Sequence, residues 1–327
     1  MKPPYLDVGT LRHRLVKPAL YEFMRNGATL IANKIINEPL VTQFAREVAD
    51  YTGRQVVSSA YAAFGRRDSF RAHWDTRDVF AIQLIGRKRW IVYEPSLEAP
   101  LYTQQTRDYE HLYPCPTEPY MDVILEAGDV FYLPRGWWRN PLPLGEETFH
   151  LAIGTFPAFT MDYLAWTVRE AQALLPARRS LNNNWEVDEE NLRDTAQRVG
   201  AMIADSANYR RFMDEFIAGT REETPLALEV LGRPDVDVLS DDVGLRIAAS
   251  RVHGIESNYV IANGVKLNLD ASGVSLMRRI ADNPGIKVGD VLTVVDEADA
   301  ERARRLVSDL CRQDVLALDT AAYGHAG

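Results

Sequence analysis

Cysteine is scarce in this 327-residue sequence, which contains only Cys115 and Cys311. Two cysteines so far apart in the chain supply neither a disulfide framework nor a thiolate zinc site. Such sparing use of cysteine is typical of a reducing compartment. We therefore expect a cytoplasmic protein that folds without disulfides.

Long apolar runs are also missing. No stretch approaches the roughly 18 apolar residues that a membrane-spanning helix needs, so no membrane span is expected. The opening residues MKPPYLDVGTLRHRL contain no apolar core and no small-residue cleavage site, which predicts no secretory signal. The sequence has no Gly-x-Ser-x-Gly, no Gly-x-Gly-x-x-Gly and no phosphate-binding loop, which argues against the enzyme classes built on those motifs.

Positive charge is in deficit. The sequence has 46 acidic residues against 37 lysines and arginines, a net charge of −9. An acidic protein repels phosphate backbones, so direct binding to nucleic acid is not expected. A protein or peptide partner is the better expectation.

The hydrophobic period changes along the chain. Residues 17–52 have apolar residues at helical spacing in two segments that end near Gly27 and Gly53, and glycine commonly terminates helices. Short segments rich in β-branched and aromatic residues follow, which predicts a compact β-sandwich or barrel. Those segments are RQVVSSAYAAF, DVFAIQLIG, KRWIVYEP, YMDVILEAGDVFYLP and TFHLAIGTF.

Helical spacing returns at about Met161 and continues to residue 224, with more apolar positions than a lone helix needs. These helices are expected to pack together or against a second copy of the chain. From Pro225 onward, Asn263-Gly264 predicts a hairpin, followed by helical segments. A hairpin with helices of this size indicates a winged-helix-like module. Its 16 acidic and 11 basic residues, a net of −5, favour protein or peptide contact over DNA.

The segment FRAHWDTRDVFAIQLIGRKRW, Phe70–Trp90, contains a His-x-Asp pattern. On a strand, His73 and Asp75 point to the same face with Cα atoms roughly 6.5–7 Å apart, and Trp74 points the other way. With a distal histidine, such a pair forms the facial triad of non-haem iron(II) oxygenases. Alone, the pattern is weak, and it is more often a surface histidine beside a solvated aspartate at the end of a strand.

A second motif, GDVFYLPRGWWRN, follows at Gly128–Asn140 and resembles the second motif of cupin barrels. Together with RNGATLIAN, HWDTRDVFAIQLIGRKRWIVYEP and PLGEETFHLAIG, it makes the chain from Tyr21 to Trp166 resemble the JmjC-type cupins of the ribosomal oxygenase family. The resemblance implies an α+β fold. It consists of a double-stranded β-helix (cupin/JmjC) barrel with N-terminal helices at residues 1–160, a helical dimerisation region at 161–224 and a winged-helix-like domain at 225–327.

The same resemblance implies a function. The family hydroxylates side chains of proteins, ribosomal proteins among them, with Fe(II) and 2-oxoglutarate, and it forms homodimers. Carried over to this chain, His73 and Asp75 are metal ligands. Lys88 pairs with the far carboxylate of 2-oxoglutarate, while Ser59 and His150 line the cosubstrate pocket.

The resemblance fails at the third iron ligand, where Arg139 stands in place of a histidine. Three interpretations remain open: His150 moves in to complete the triad, iron is held weakly by His73 and Asp75 with waters, or Arg139 pairs with Asp75 and no metal binds. The first two keep a 2-oxoglutarate- and Fe(II)-dependent hydroxylase of a protein or peptide side chain, which is the leading expectation. The third predicts the alternative, a catalytically degenerate JmjC-like module that binds a peptide or protein.

Overall fold

The computed structural model describes residues 5–7, 10–12, 15–35, 38–67, 70–219, 224, 226–249 and 252–319. The chain divides into two compact units, Met1–Phe156 and Pro157–Gly327. The predicted barrel lies almost wholly in the first unit. The domain boundary expected after residue 224 stays a prediction. No helix within the described ranges is both long and apolar enough to cross a membrane.

The first unit is built mainly from antiparallel strands. These are β1 (Tyr5–Asp7), β2 (Thr10–Arg12), β3 (Leu30–Asn33), β4 (Gln55–Ala63), β5 (His73–Trp74), β6 (Val79–Ile85), β7 (Lys88–Tyr93), β8 (Met121–Leu125), β9 (Val130–Leu133), β10 (Trp138–Pro143) and β11 (Thr148–Phe156). The helices are α1 (Lys17–Arg25), α2 (Pro39–Thr52) and α3 (Thr106–Tyr109). The predicted strands and both predicted helices are confirmed, except that YMDVILEAGDVFYLP forms two strands, β8 and β9.

Two sheets form the barrel. One has the strand order β3-β4-β11-β6-β9 and the other β5-β10-β7-β8. Their inner faces meet in a core where Ala81 of β6 packs with Trp90 and Val92 of β7. Side chains alternate between faces along each strand, so every second residue of these strands points into this interior.

Helix α2 covers the outer face of the five-stranded sheet. Its apolar residues Val41 and Val48 pack on Ala60, Leu151 and Ile153. The helix begins after Glu38, whose side chain accepts a hydrogen bond from the backbone N–H of Val41 at 2.7 Å. It ends at Gly53, which adopts φ +66° in the left-handed region, as the sequence predicted.

Strand β10 is among the elements that sequence patterning did not predict, and its sequence WRNPLP contains Pro141 and Pro143. Proline cannot donate to a sheet ladder and is tolerated where a strand has a neighbour on one side only. The two-residue β5 pairs with β10 only at Trp138 and Arg139. Both prolines lie beyond that pairing, where β7 is the one neighbour among the described strands.

The second unit combines helices with short strands. The helices are α4 (Thr160–Glu170), α5 (Trp185–Ala204), α6 (Ser206–Ala218), α7 (Leu228–Leu231), α8 (Ala271–Asp282), α9 (Val288–Leu292) and α10 (Ala300–Arg312). The strands are β12 (Gly244–Ile247), β13 (Tyr259–Ala262), β14 (Val265–Asn268), β15 (Ile286–Lys287) and β16 (Leu316–Leu318). The predicted hairpin is confirmed: β13 pairs with β14 around Asn263 and Gly264, which both adopt positive φ.

The core of the second unit surrounds β12, the middle strand of the sheet β15-β12-β16. Leu245 on this strand packs with Ile280 of α8, Val288 of α9 and Val307 of α10, all of them buried. The amphipathic spacing of α8 and α10 is what directs these residues inward. Classification of this region as winged-helix-like stays a prediction.

Candidate functional site

The His-x-Asp motif lies at the junction of β5 and β10. In the antiparallel register, Trp74 is opposite Trp138 and His73 is opposite Arg139. The two tryptophan rings pack edge to face with centroids 4.7 Å apart, on the face turned away from the barrel interior. His73 and Asp75 therefore share the opposite face with Arg139, as the alternation of the sequence predicted.

Arg139 forms an ion pair with Asp75 through Nη2 and a carboxylate oxygen. Arg139 is 2% exposed, whereas 36% of the Asp75 side chain remains accessible. Neither Nη1 nor Nη2 of Arg139 makes an aligned hydrogen bond with a described residue. The guanidinium group thus neutralises Asp75 and still has buried N–H donors to offer.

A nearby backbone carbonyl orients the ring of His73. Its Nδ1 lies 3.0 Å from the carbonyl oxygen of Arg71. A carbonyl oxygen only accepts hydrogen bonds, so Nδ1 carries the proton in this arrangement. The ring also lies near Phe70, with centroids 6.2 Å apart.

The donor set does not fit an iron(II) facial triad. Nowhere in the described ranges do three or more His, Cys, Asp or Glu side chains come together in a group able to hold a metal ion. His150 therefore does not join His73 and Asp75 to complete a triad. Arg139, which pairs with Asp75, adds no ligand, because a guanidinium group has no lone pair to donate to a metal.

Lys88 and His150 lie deeper in the barrel. Lys88 is 1% exposed and His150 is 3% exposed. Burial first, and the Lys88 charge second, hold the pKa of His150 well below its usual value of 6.5, so this imidazole is neutral. The predicted inward position of Lys88 agrees with the alternation along β7, where Lys88, Trp90 and Val92 are all buried.

Tyr61 connects the two groups of polar residues. Its ring stacks on His150 with centroids 4.8 Å apart and planes 10° from parallel. Burial raises the pKa of the Tyr61 hydroxyl, and so does Asp75, while Arg139 lowers it. The Tyr61 hydroxyl therefore experiences the charges of Arg139 and Asp75, while the Tyr61 ring contacts His150.

Several buried polar atoms of the barrel have no hydrogen-bond partner among the described residues. They include Nε1 of Trp90, Nδ1 of His150 and Nη1 of Arg139, whereas Nη2 of Arg139 is ion-paired with Asp75. The Trp90 ring meets His150 edge to face, with centroids 5.6 Å apart. Buried polar atoms are normally satisfied, so these atoms are available to a polar ligand that enters the barrel.

One predicted site residue remains, and a buried tryptophan of the second motif lies next to the ion-paired arginine in the sequence. Ser59 is half-buried on β4, two residues before Tyr61 and thus on the same face. Trp138 is core, with Nε1 donating to Ser96 Oγ at 2.9 Å. Sequence reasoning missed Trp90, although its position two residues after Lys88 on an alternating strand was the available signal.

Comparison with known proteins relates the barrel to one family. Residues 31–163 match the JmjC domain family. Ribosomal oxygenase 1 of Rattus norvegicus is 31% identical over 184 residues, 54% of this chain and 29% of that protein. The bifunctional lysine-specific demethylase and histidyl-hydroxylase NO66 of Drosophila simulans is 32% identical over 151 residues, 44% of this chain and 17% of that protein. The chain thus spans less than a third of the length of these curated relatives.

Solved structures show the same architecture. YcfD, a ribosomal oxygenase from Escherichia coli in complex with cobalt and 2-oxoglutarate, superposes with a TM-score of 0.60 at 18% identity, covering 89% of this chain and 78% of that chain. At this identity the likeness shows a mixed α/β JmjC cupin fold, which the sequence resemblance had implied. The sequence similarity to the JmjC domain family thus covers residues 31–163, and ribosomal oxygenases are among the relatives in sequence.

Proposed function

We propose that the barrel is a binding module for a protein or peptide segment, in which the Arg139–Asp75 ion pair stands where a metal would be held. The buried guanidinium of Arg139 against the Asp75 carboxylate is the observation that carries this proposal. It corresponds to the third interpretation of the sequence, in which an ion pair replaces the charge of a metal.

Electrostatics supports this assignment. Arginine stays cationic at all ordinary pH values and repels a divalent cation placed beside it. Asp75 has one carboxylate, and Arg139 already neutralises it. Separating the pair leaves the buried guanidinium of Arg139 uncompensated, which is a cost that a metal would have to overcome before binding.

A second candidate is the 2-oxoglutarate- and Fe(II)-dependent hydroxylase that the names of the relatives suggest. His73 and Asp75 share one face, and Lys88 is buried in the same barrel, which favours it. This candidate requires the Arg139 side chain to move away from Asp75 and another metal ligand to take its place. Under either candidate, the relatives' names point to a ribosomal protein as the partner.

Metal binding separates the two candidates. Calorimetry follows the titration of three proteins with Mn²⁺ and Co²⁺: the wild type, Arg139→His and the control Arg89→His. The control would place its histidine on the outer side of β7. Succinate formation from 2-oxoglutarate is then followed with iron and a panel of ribosomal-protein peptides. We expect stoichiometric metal binding in Arg139→His only. A wild type that binds one metal ion and forms substrate-dependent succinate overturns the binding-module proposal.

We also propose that α4, α5 and α6 form a homodimerisation region. Large apolar side chains are exposed here, among them Val168, Trp185, Val187 and Ile203, and such surfaces typically mark association sites. Analytical ultracentrifugation of the wild type and of Trp185→Glu tests this. A wild type that sediments as a monomer at micromolar concentration rejects the proposal. The winged-helix-like segment from Pro225, with its acidic balance, is proposed to contact protein.

A further inference from the structure

The second unit contains a surface cleft of about 880 Å³. One wall is α6, another is the C-terminal turn of α8, and the segment 252–257 supplies most of the rest. Met213, Val252 and Ile255 give the cleft apolar surface. Clefts of this size typically bind a ligand through apolar contacts, with a few polar groups that set specificity. The cleft is therefore a candidate binding site outside the barrel.

Carboxylates reach this cleft from all three of these elements. They are Asp214 on α6, Glu256 in the segment 252–257 and Asp282 at the end of α8. Asp282 is exposed. Arg278 lies 3.1 Å from Glu256, but 88% of the Glu256 side chain stays accessible, and an exposed ion pair of this kind is weak. Glu256 and Asp282 are therefore available to a cation that enters the cleft.

The third carboxylate shows how a cation is held beside the cleft. Nζ of Lys266 lies 2.6 Å from Oδ2 of Asp214 and 4.0 Å from the centroid of the Tyr259 ring. A carboxylate and an aromatic face together hold this ammonium group, because both attract positive charge. Tyr209, which is 51% exposed, offers a second aromatic face in the same cleft.

The overall charge favours a cationic partner. The region from Pro225 to the end has a net charge of −5 and the whole chain −9. A ribosomal protein, the partner proposed above, binds RNA, and proteins neutralise RNA phosphates with lysine and arginine. Complementary charge speeds encounter and selects among partners. A basic segment of such a protein therefore suits this cleft better than an acidic one.

We propose that the cleft of the second unit binds a segment of a protein partner that carries lysine or arginine side chains. This inference rests on the proposed contact of the C-terminal region with protein, and it names the place and the chemistry of that contact. Asp282 and Glu256 receive the cationic groups. Tyr209 and Met213 contact the apolar stems that lysine and arginine bring with their charge.

Arg210 makes the charge of the ligand measurable. It lines the cleft from α6, is exposed, and has its Nη2 3.5 Å from Oγ of Ser206. A basic segment is repelled by Arg210 and attracted by Asp282. Arg210→Gln therefore strengthens binding of such a segment, and Asp282→Asn weakens it. For an acidic segment or a phosphate group, both effects reverse, so the pair of signs identifies the class of ligand.

The experiment titrates the full chain into three fluorescein-labelled peptides and follows fluorescence anisotropy. At the same four positions, the peptides carry two lysines and two arginines, four glutamines or four glutamates. We expect the wild type to bind the basic peptide, Asp282→Asn to bind it at least threefold more weakly, and Arg210→Gln at least twofold more tightly. Glu297→Gln is the matched control, since it removes an exposed carboxylate outside the cleft, and it should leave the affinity unchanged.

Methionine methyl NMR locates the bound peptide. Met213 lines the cleft, whereas Met121 is a partly exposed methionine on β8 of the first unit. The basic peptide should shift the methyl signal of Met213 and leave that of Met121 in place.

Four results overturn the inference. The wild type binds none of the peptides; it prefers the glutamate peptide, with both signs reversed; Glu297→Gln weakens binding as much as Asp282→Asn, which indicates unspecific attraction; or the basic peptide shifts Met121 and not Met213. In each case the barrel proposal stands or falls separately, because metal titration of the wild type and Arg139→His tests it without any peptide.

Discussion

His150 of β11 stacks face to face on Tyr61 of β4, with ring centroids 4.8 Å apart. The stacked imidazole is buried, and its pKa lies well below 6.5 because of burial and then the charge of Lys88. Through this pair, the buried polar residues His150 and Lys88 are connected to the residues around Asp75. It also makes the stability of the first unit dependent on pH.

The first prediction concerns that dependence. Below pH 6.5 the unfolded chain binds a proton at His150 that the folded chain does not, so stability is complete above this pH and falls as the pH is lowered. The loss approaches about 1.4 kcal/mol per pH unit. Urea unfolding of the wild type and His150→Gln between pH 7.5 and 5 measures it. The variant should show a shallower slope, whereas His111→Gln, at an exposed position, should keep the wild-type slope.

The second prediction concerns the turn before Lys88. Gly86 adopts φ +62°, and a Cβ atom there would lie 1.8 Å from the carbonyl oxygen of Glu147. Gly86→Ala should therefore lower the free energy of unfolding by more than about 2 kcal/mol, since a clash adds to the backbone strain. Gly128, at φ +102° with nothing within 4 Å of its Cβ position, is the control. Gly128→Ala should cost about 1 kcal/mol, and equal costs at the two sites contradict the clash.

The third prediction separates the two adjacent tryptophans of the second motif. Trp138 is buried against Trp74, whereas the half-buried Trp137 packs on Tyr120 with ring centroids 4.9 Å apart. Trp138→Ala should destabilise the first unit by about 3–5 kcal/mol, because it leaves a large cavity. Trp137→Ala should cost clearly less. Guanidinium unfolding followed by circular dichroism measures both, and a reversed order rejects the assignment of Trp138 to the core.

The fourth prediction concerns the second unit, where Asp214 of α6 accepts hydrogen bonds from Tyr259 at 2.8 Å and Lys266 at 2.6 Å. Burial and then the Asp214 hydrogen bond raise the pKa of Tyr259 to about 12. Stability should therefore fall as the pH rises above 10, because only the unfolded tyrosine ionises there. In Asp214→Asn, NMR titration of ¹³Cζ-labelled tyrosine should show this pKa moving toward 10. Asp282→Asn, at an exposed position on α8, should leave it unchanged.

Local patterns were sufficient for much of the architecture. The stop of α2 at Gly53 and the hairpin at Asn263-Gly264 follow from backbone preferences that one or two residues express. The inward direction of His73, Asp75 and Lys88 follows from the two-residue period of a strand. Strand β10 escaped prediction because its prolines contradict strand propensity, and only its position beside the short β5 makes them acceptable.

The sequence by itself predicted that a His-x-Asp pair and a lysine face the interior of a barrel that resembles JmjC cupins, with an arginine where the resemblance places a third ligand. Only the tertiary structure decided that Arg139 pairs with Asp75 and that His150 stacks on Tyr61, away from any three-ligand group. The physical reason is how far apart in the chain the residues that fix each feature lie. Side-chain direction is set by each strand's own geometry, whereas these pairings depend on the register of strands that are distant in the chain and on the closure of the barrel.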